Sequence, residues 1–187
     1  MPLNLPNILT LSRILAIPLV VAAFYLDQPA AAWTTFALFA YASLTDYLDG
    51  WLARRWSQTS DFGRFLDPIA DKLLVAAILV MLVANGTLGG AEVVAVVLIL
   101  IREILVSGLR EFLADKNVGM PVSRIAKWKT AIQLLAIALL LLTGVVDNAN
   151  LAGVVLLWAA TVLTVYTGLD YLRVGLAHMV RGPAEGR

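Results

Sequence analysis

Residues 46–72 read DYLDGWLARRWSQTSDFGRFLDPIADK, and the way this stretch divides decides the fold. Asp46 and Asp49 stand three apart where one apolar run ends, and Asp67 and Asp71 stand four apart where the next begins. At helical spacing each pair shares one face. The residues from Ser57 to Gly63 are turn-formers, so the two helices run antiparallel with a short connection. Both acid pairs then lie at one level. With a rise of about 1.5 Å per residue, Asp46 sits about 12 Å along its helix from Arg54.

Outward from this segment the chain is apolar. Of its 187 residues 60% are hydrophobic and only 14% are charged, with a mean hydropathy of +0.85. A soluble domain carries about 25% charged residues. Six apolar runs, at about 8–26, 32–55, 65–85, 92–114, 128–145 and 151–174, each approach the roughly 20 residues that cross a bilayer as a helix. The expected class is an all-α integral membrane protein with six spans, formed by residues 1–187 as a single domain without internal repeats or a soluble unit. The absence of cysteine excludes disulfides, thiolate metal sites and cysteine nucleophiles. A net charge of +1 gives no footprint for nucleic acid.

Lysine and arginine set the expected orientation. The loops around 27–31, 86–91 and 146–150 contain neither, whereas Arg54, Arg55, Arg64, Lys72, Lys116, Arg124, Lys127, Lys129, Arg173, Arg181 and Arg187 fall on the other side. Both termini are therefore placed in the cytoplasm. Residues 1–26 read as a first span, not a removable secretory signal: no basic residue precedes Arg13, and Asp27 follows the apolar stretch directly. The opening Pro2-Leu3-Asn4-Leu5-Pro6 is expected along the membrane surface, with Asn7 as the helix N-cap. Trp33, Trp51, Trp56, Trp128 and Trp158 read as interface anchors, and His178 has no assigned role.

Four carboxylates below the headgroup level repel one another unless cations neutralise them. Two divalent ions balance four such charges, and an all-oxygen donor set favours Mg²⁺ or Mn²⁺. A metal pair of this kind binds pyrophosphate and stabilises a leaving oxygen. Gly50 and Gly63, the latter expected in the connecting loop, permit close backbone approach, and Arg54 offers a fork of donors to phosphate. Two other readings use the same residues. The acids form a solvated face paired with Arg54, Arg55, Arg64 and Lys72, or they line the ion path of a small cation transporter. The almost uncharged outer loops argue against an outward-facing path.

The pattern Asp49-Gly50-x2-Ala53-Arg54-x8-Gly63-x3-Asp67-x3-Asp71, with Asp46 upstream, resembles the signature of the CDP-alcohol phosphotransferase family at every fixed position. Asn7-x2-Thr10-x2-Arg13, Arg102-Glu103-x3-Ser107-x2-Arg110-Glu111 and Lys127-Trp128-Lys129-Thr130 resemble the bacterial phosphatidylglycerophosphate synthase branch of that family. The likeness covers most of the chain and is weakest after Arg173. It implies a homodimeric six-helix membrane fold with a polar cavity open to the cytoplasm. It further implies that Asp46, Asp49, Asp67 and Asp71 hold two metal ions. Asp49, Gly50, Ala53, Arg54 and Gly63 then meet the CDP-diacylglycerol donor, which Asn7, Thr10 and Arg13 border, and Asp71 acts as general base. The implied reaction moves the phosphatidyl group to glycerol 3-phosphate and releases CMP.

An anionic acceptor agrees with the remaining charges. Arg102 lies mid-span, where a cation needs a partner or a wet cavity. Glu103, Ser107 and Arg110 share a helix face, and Arg124, Lys127 and Lys129 cluster where the chain re-enters the membrane. Arg110 and Lys127 are the first candidates for the acceptor phosphate, with Lys129, Arg124, Arg102 and Ser107 around them. The basic cluster also reads as a topology determinant touching anionic lipid, and Arg102 with Glu103 as a structural pair. An inositol phosphate, serine or phosphatidylglycerol remain alternative acceptors for the same chemistry.

Overall fold

The computed structural model describes residues 5–56, 61–115 and 124–181; the side chains of Asp49, Gly50, Ala53, Arg54 and Arg124 lie outside the described residues. Among the described residues the chain is entirely helical, running α1 (Leu5–Ala23), α2 (Ala30–Trp56), α3 (Asp61–Ala84), α4 (Ala91–Asp115), α5 (Arg124–Leu141) and α6 (Ala149–Arg181). Each helix corresponds to one apolar run of the sequence. Their ends differ from the hydropathy limits for local reasons. Leu5 already begins α1, because Pro6 falls in the first turn, where its missing N–H is no loss. Asn7 is therefore inside the helix and 4% exposed, not its cap. Gly63 belongs to the first turn of α3 and not to the loop before it.

Gly86, at φ 80°, supplies the left-handed conformation that closes α3, and Leu88 N–H returns to the Leu82 carbonyl at 2.9 Å. Asn148 adopts φ 58° immediately before α6, and its carbonyl accepts from Ala152 N–H at 3.0 Å. α6 reaches Arg181, beyond the expected limit near 174, because arginine ends an apolar stretch without ending a helix.

α1 packs between α2 and α3, while α6 lies against α4 and α5; α3 and α5 join the two groups. The shared core contains Val20, Phe39, Leu74, Ile78, Leu82, Ile99, Ile137, Leu140 and Leu157. Large apolar side chains also cover the outside, among them Leu15, Leu19, Val80, Ile101, Ile104, Leu151 and Val162. Such a surface suits lipid and not water. By length and hydropathy alone, one stretch among the described residues, Ala149–Leu176, qualifies as a membrane span, and Asn7–Ala23 is a shorter apolar helix. The intervening helices carry charges within their length, and all of these except Glu92, in the first turn of α4, lie away from the loops around 28, 87 and 147.

Candidate active site

Helices α1, α2 and α3 build the carboxylate wall. Asp46 comes from α2, and Asp67 and Asp71 come from successive turns of α3. α1 meets them with a polar stripe at three-residue spacing: Asn7, Thr10 and Arg13, all buried. Arg13 has no exposed surface. Its Nη1 lies 2.6 Å from Asp71 Oδ1 and 3.0 Å from Asp46 Oδ1. One turn earlier Thr10 Oγ1 donates to Asp67 Oδ1 at 2.6 Å. Tyr41 Oη donates to Ser12 Oγ at 3.2 Å and joins α2 to α1. The structure thus brings Asp46 and Asp71 together around one cationic nitrogen and sets Asp67 beside Thr10.

The Asp46 and Asp71 side chains remain 46% and 44% exposed, so each carboxylate presents oxygen to open space. Both line a cavity of about 340 Å³. Among the described residues no three potential ligands already stand in metal-binding array. The donor chemistry nonetheless fits a hard cation: two carboxylates converge on a position that accommodates positive charge, here that of the guanidinium. Asp49, the fourth expected ligand, lies one helical turn from Asp46 along α2, with its side chain outside the described residues. Gly50, Ala53 and Arg54, expected around the donor nucleotide, share that status.

The opposite wall is basic. α4 supplies Arg102 and Glu103, α5 supplies Lys129, and α6 supplies Thr167 and Tyr171. Glu103 Oε1 lies 2.5 Å from Lys129 Nζ and 3.1 Å from Arg102 Nη1. Arg102 Nη2 also donates to Thr167 Oγ1 at 3.2 Å, and its guanidinium lies 5.9 Å from the Tyr171 ring centroid. This arrangement closes a network from three helices, and it gives Arg102 and Glu103 partners that spacing within α4 does not reveal. Gly168 makes room for it, since a Cβ there would lie 2.8 Å from Arg102 Cγ.

Arg102, Arg110 and Lys129 all line the cavity that holds Asp46 and Asp71. An adjoining cavity of about 670 Å³ adds Ser107 and shares Lys72, Arg102, Glu103 and Arg110. Lys127 is exposed and lines neither space. Two residues along a helix is more than half a turn, so Lys127 and Lys129 face opposite ways. Arg124 lies outside the described side chains. Sequence reading passed over Lys72 as a site residue: it follows Asp71, lines both cavities and anchors by donating to the Pro68 carbonyl at 2.8 Å. Its position beside Asp71 was the available signal. Gln133 was missed as well, one turn beyond Lys129 on α5.

The chain is similar to known proteins over most of its length. The family model described as CDP-alcohol phosphatidyltransferase matches residues 3–166. A CDP-diacylglycerol–glycerol-3-phosphate 3-phosphatidyltransferase of Rickettsia bellii is 44% identical over 173 residues, covering 91% of this chain and 94% of the relative. The protein of that name from Escherichia coli K12 is 40% identical over 190 residues, covering 96% and 99%. That of Haemophilus influenzae is 40% identical over 176 residues, covering 93% and 94%. By the span of the family match and the completeness of these alignments, the chain belongs to the CDP-alcohol phosphatidyltransferase family.

Proposed function

We propose that this protein transfers the phosphatidyl group of CDP-diacylglycerol to the primary hydroxyl of sn-glycerol 3-phosphate, giving phosphatidylglycerophosphate and CMP. The observation that carries the reading is a single cavity with Asp46 and Asp71 on one wall and Arg102, Arg110 and Lys129 on the other. A donor pyrophosphate and an anionic acceptor need those two walls to meet.

Asp71 accepts the proton of the attacking hydroxyl, and its half-open carboxylate is accessible to that proton. The hydroxyl oxygen bonds to the β-phosphorus, and the bridging P–O bond breaks to release CMP. Arg110 and Lys72, at the junction of the two cavities, hold the acceptor phosphate. Glu103 fixes Lys129 and Arg102 and offsets part of their charge, which keeps the basic wall ordered. Asp46, Asp49, Asp67 and Asp71 would hold two divalent cations, Mg²⁺ or Mn²⁺, which when bound supply neutralisation of the donor pyrophosphate. The Gly50–Arg54 turn and Gly63 border the donor, with Asn7 and Thr10 behind it.

All six helices cross the cytoplasmic membrane, both termini and the cavity mouth face the cytoplasm, and the functional unit is a homodimer. Diacylglycerol chains stay in the bilayer while the acceptor arrives from water. CMP release tests this reading, measured on the purified protein with CDP-diacylglycerol, Mg²⁺ or Mn²⁺, and acceptors offered singly. Release that requires both metal and glycerol 3-phosphate, with phosphatidylglycerophosphate recovered, is the expected result. Release with serine, an inositol phosphate or phosphatidylglycerol instead would overturn the acceptor assignment. A folded sample silent under every condition would overturn the reaction.

A further inference from the structure

Gln133 is 4% exposed, yet its side-chain oxygen has no hydrogen-bond partner among the described residues. It lines the same cavity as Asp46 and Asp71. A buried amide left unmatched costs about 1–3 kcal/mol, so an orphan on the wall of a reaction cavity asks for a ligand. A second orphan supports this: Ser43 Oγ, one turn from Asp46 on α2, is buried without a partner on the same cavity lining.

The neighbours on the cavity wall identify the ligand group. Gln133 is the tenth residue from the start of α5, and Asp71 the eleventh from the start of α3. Asp46 is the eleventh from the end of α2. All three line one cavity, and Gln133 stands one helical turn beyond Lys129 on its wall. Arg110 lines the same cavity and also the adjoining one, nearer the end of α4. An acceptor whose phosphate rests at Arg110 directs its hydroxyl end toward Asp71 and Gln133 together.

We propose that Gln133 is a specificity-determining residue that binds the secondary hydroxyl of the acceptor while the primary hydroxyl is presented to Asp71. The assignment rests on the glycerol 3-phosphate reading given above. A hydroxyl both donates and accepts, so it satisfies whichever end of the amide faces the cavity. Gln133 thereby selects a vicinal diol phosphate over a simple hydroxyalkyl phosphate, and it fixes which hydroxyl attacks.

The test compares sn-glycerol 3-phosphate with 3-hydroxypropyl phosphate, which lacks only the secondary hydroxyl. Both are assayed by CMP release on the full-length wild type, Gln133→Met and Gln133→Asn. The wild type is expected to favour glycerol 3-phosphate in kcat/KM by about 10- to 100-fold. Gln133→Met should bring that ratio close to one, through loss on glycerol 3-phosphate with less than about threefold change on the analogue. Gln133→Asn, whose amide is withdrawn by one methylene, should give an intermediate ratio and serves where the Met variant does not fold. Equal losses on both acceptors, or an unchanged ratio in a folded variant, would overturn the proposal. A wild type that uses the two acceptors equally also overturns it, whatever the variants do. A wild type that ignores glycerol 3-phosphate altogether refutes the acceptor reading instead.

Discussion

A guanidinium with no exposed surface, 2.6 Å from Asp71 and 3.0 Å from Asp46, sets the electrostatics of the carboxylate wall. Two acids held this close repel, and the Arg13 guanidinium between them supplies the opposite charge that offsets this repulsion. Arg13→Met keeps an unbranched stem and removes the charge. It is expected to destabilise the protein by about 2 kcal/mol, less than for a fully buried pair because both acids are half open. Thermal unfolding in detergent measures this, and Mg²⁺ should recover more of the loss in the variant than it adds to the wild type. Asp71→Asn keeps the shape and removes the base. CMP release should fall to background while the protein stays folded and still binds CDP-diacylglycerol; substantial residual turnover would remove Asp71 from the base role. The identity of Asp71 was readable from a four-residue spacing. Its partner was not, because Arg13 is 58 residues away and no periodicity within one helix reports a contact between two.

Helix by helix, the pattern of apolar runs located every element, and the errors collect at the ends. Hydropathy registers where hydrocarbon stops, whereas hydrogen bonding and capping decide where a helix stops, so α5 starts four residues earlier than its apolar run and α6 outlasts its own. Packing between helices is where sequence says least. α6 approaches its neighbours at glycines: a Cβ on Gly153 would lie 2.7 Å from Leu140 Cγ and 3.2 Å from the Leu140 nitrogen. One on Gly175 would lie 2.7 Å from Leu109. Small residues allow such close approach, and dispersion contacts then hold the helices where lipid supplies no hydrophobic drive. Gly153→Ala should therefore cost about 1–3 kcal/mol in thermal stability, because the α5 backbone itself must move. Adding Leu140→Ala should return part of that loss, since the same atoms make the clash. Gly168→Ala presses on a side chain, not on backbone, and that side chain is Arg102. Its expected effect is a raised KM for glycerol 3-phosphate with nearly unchanged stability.

Over the whole molecule, Arg13, Asp46, Asp71, Arg102 and Lys129, which sequence scatters across five helices, meet in one cavity, and an adjoining one shares Lys72, Arg102, Glu103 and Arg110 with it. Membrane energetics gives a reason: a carboxylate or guanidinium in hydrocarbon is tolerated only beside a partner or water. The same principle predicts which face meets which compartment. Turns rich in lysine and arginine are retained on the cytoplasmic side, and the loops around 28, 87 and 147 have neither residue. The chain contains no cysteine, so single cysteines can report this directly without a background to remove. Gln28 and Asp147 are exposed at the end whose loops lack lysine and arginine, and Glu111 is exposed near the C-terminus of α4 at the opposite end. In intact cells, a membrane-impermeant maleimide should modify Gln28→Cys and Asp147→Cys but leave Glu111→Cys untouched until the membrane is permeabilised. The reverse pattern would turn the molecule over and place the cavity mouth outside, where CMP would be lost to the cell. Labelling of all three from one side would mean that the six helices do not cross the bilayer in sequence, and the gathering of Asp46, Asp71 and Gln133 on one cavity would need another explanation.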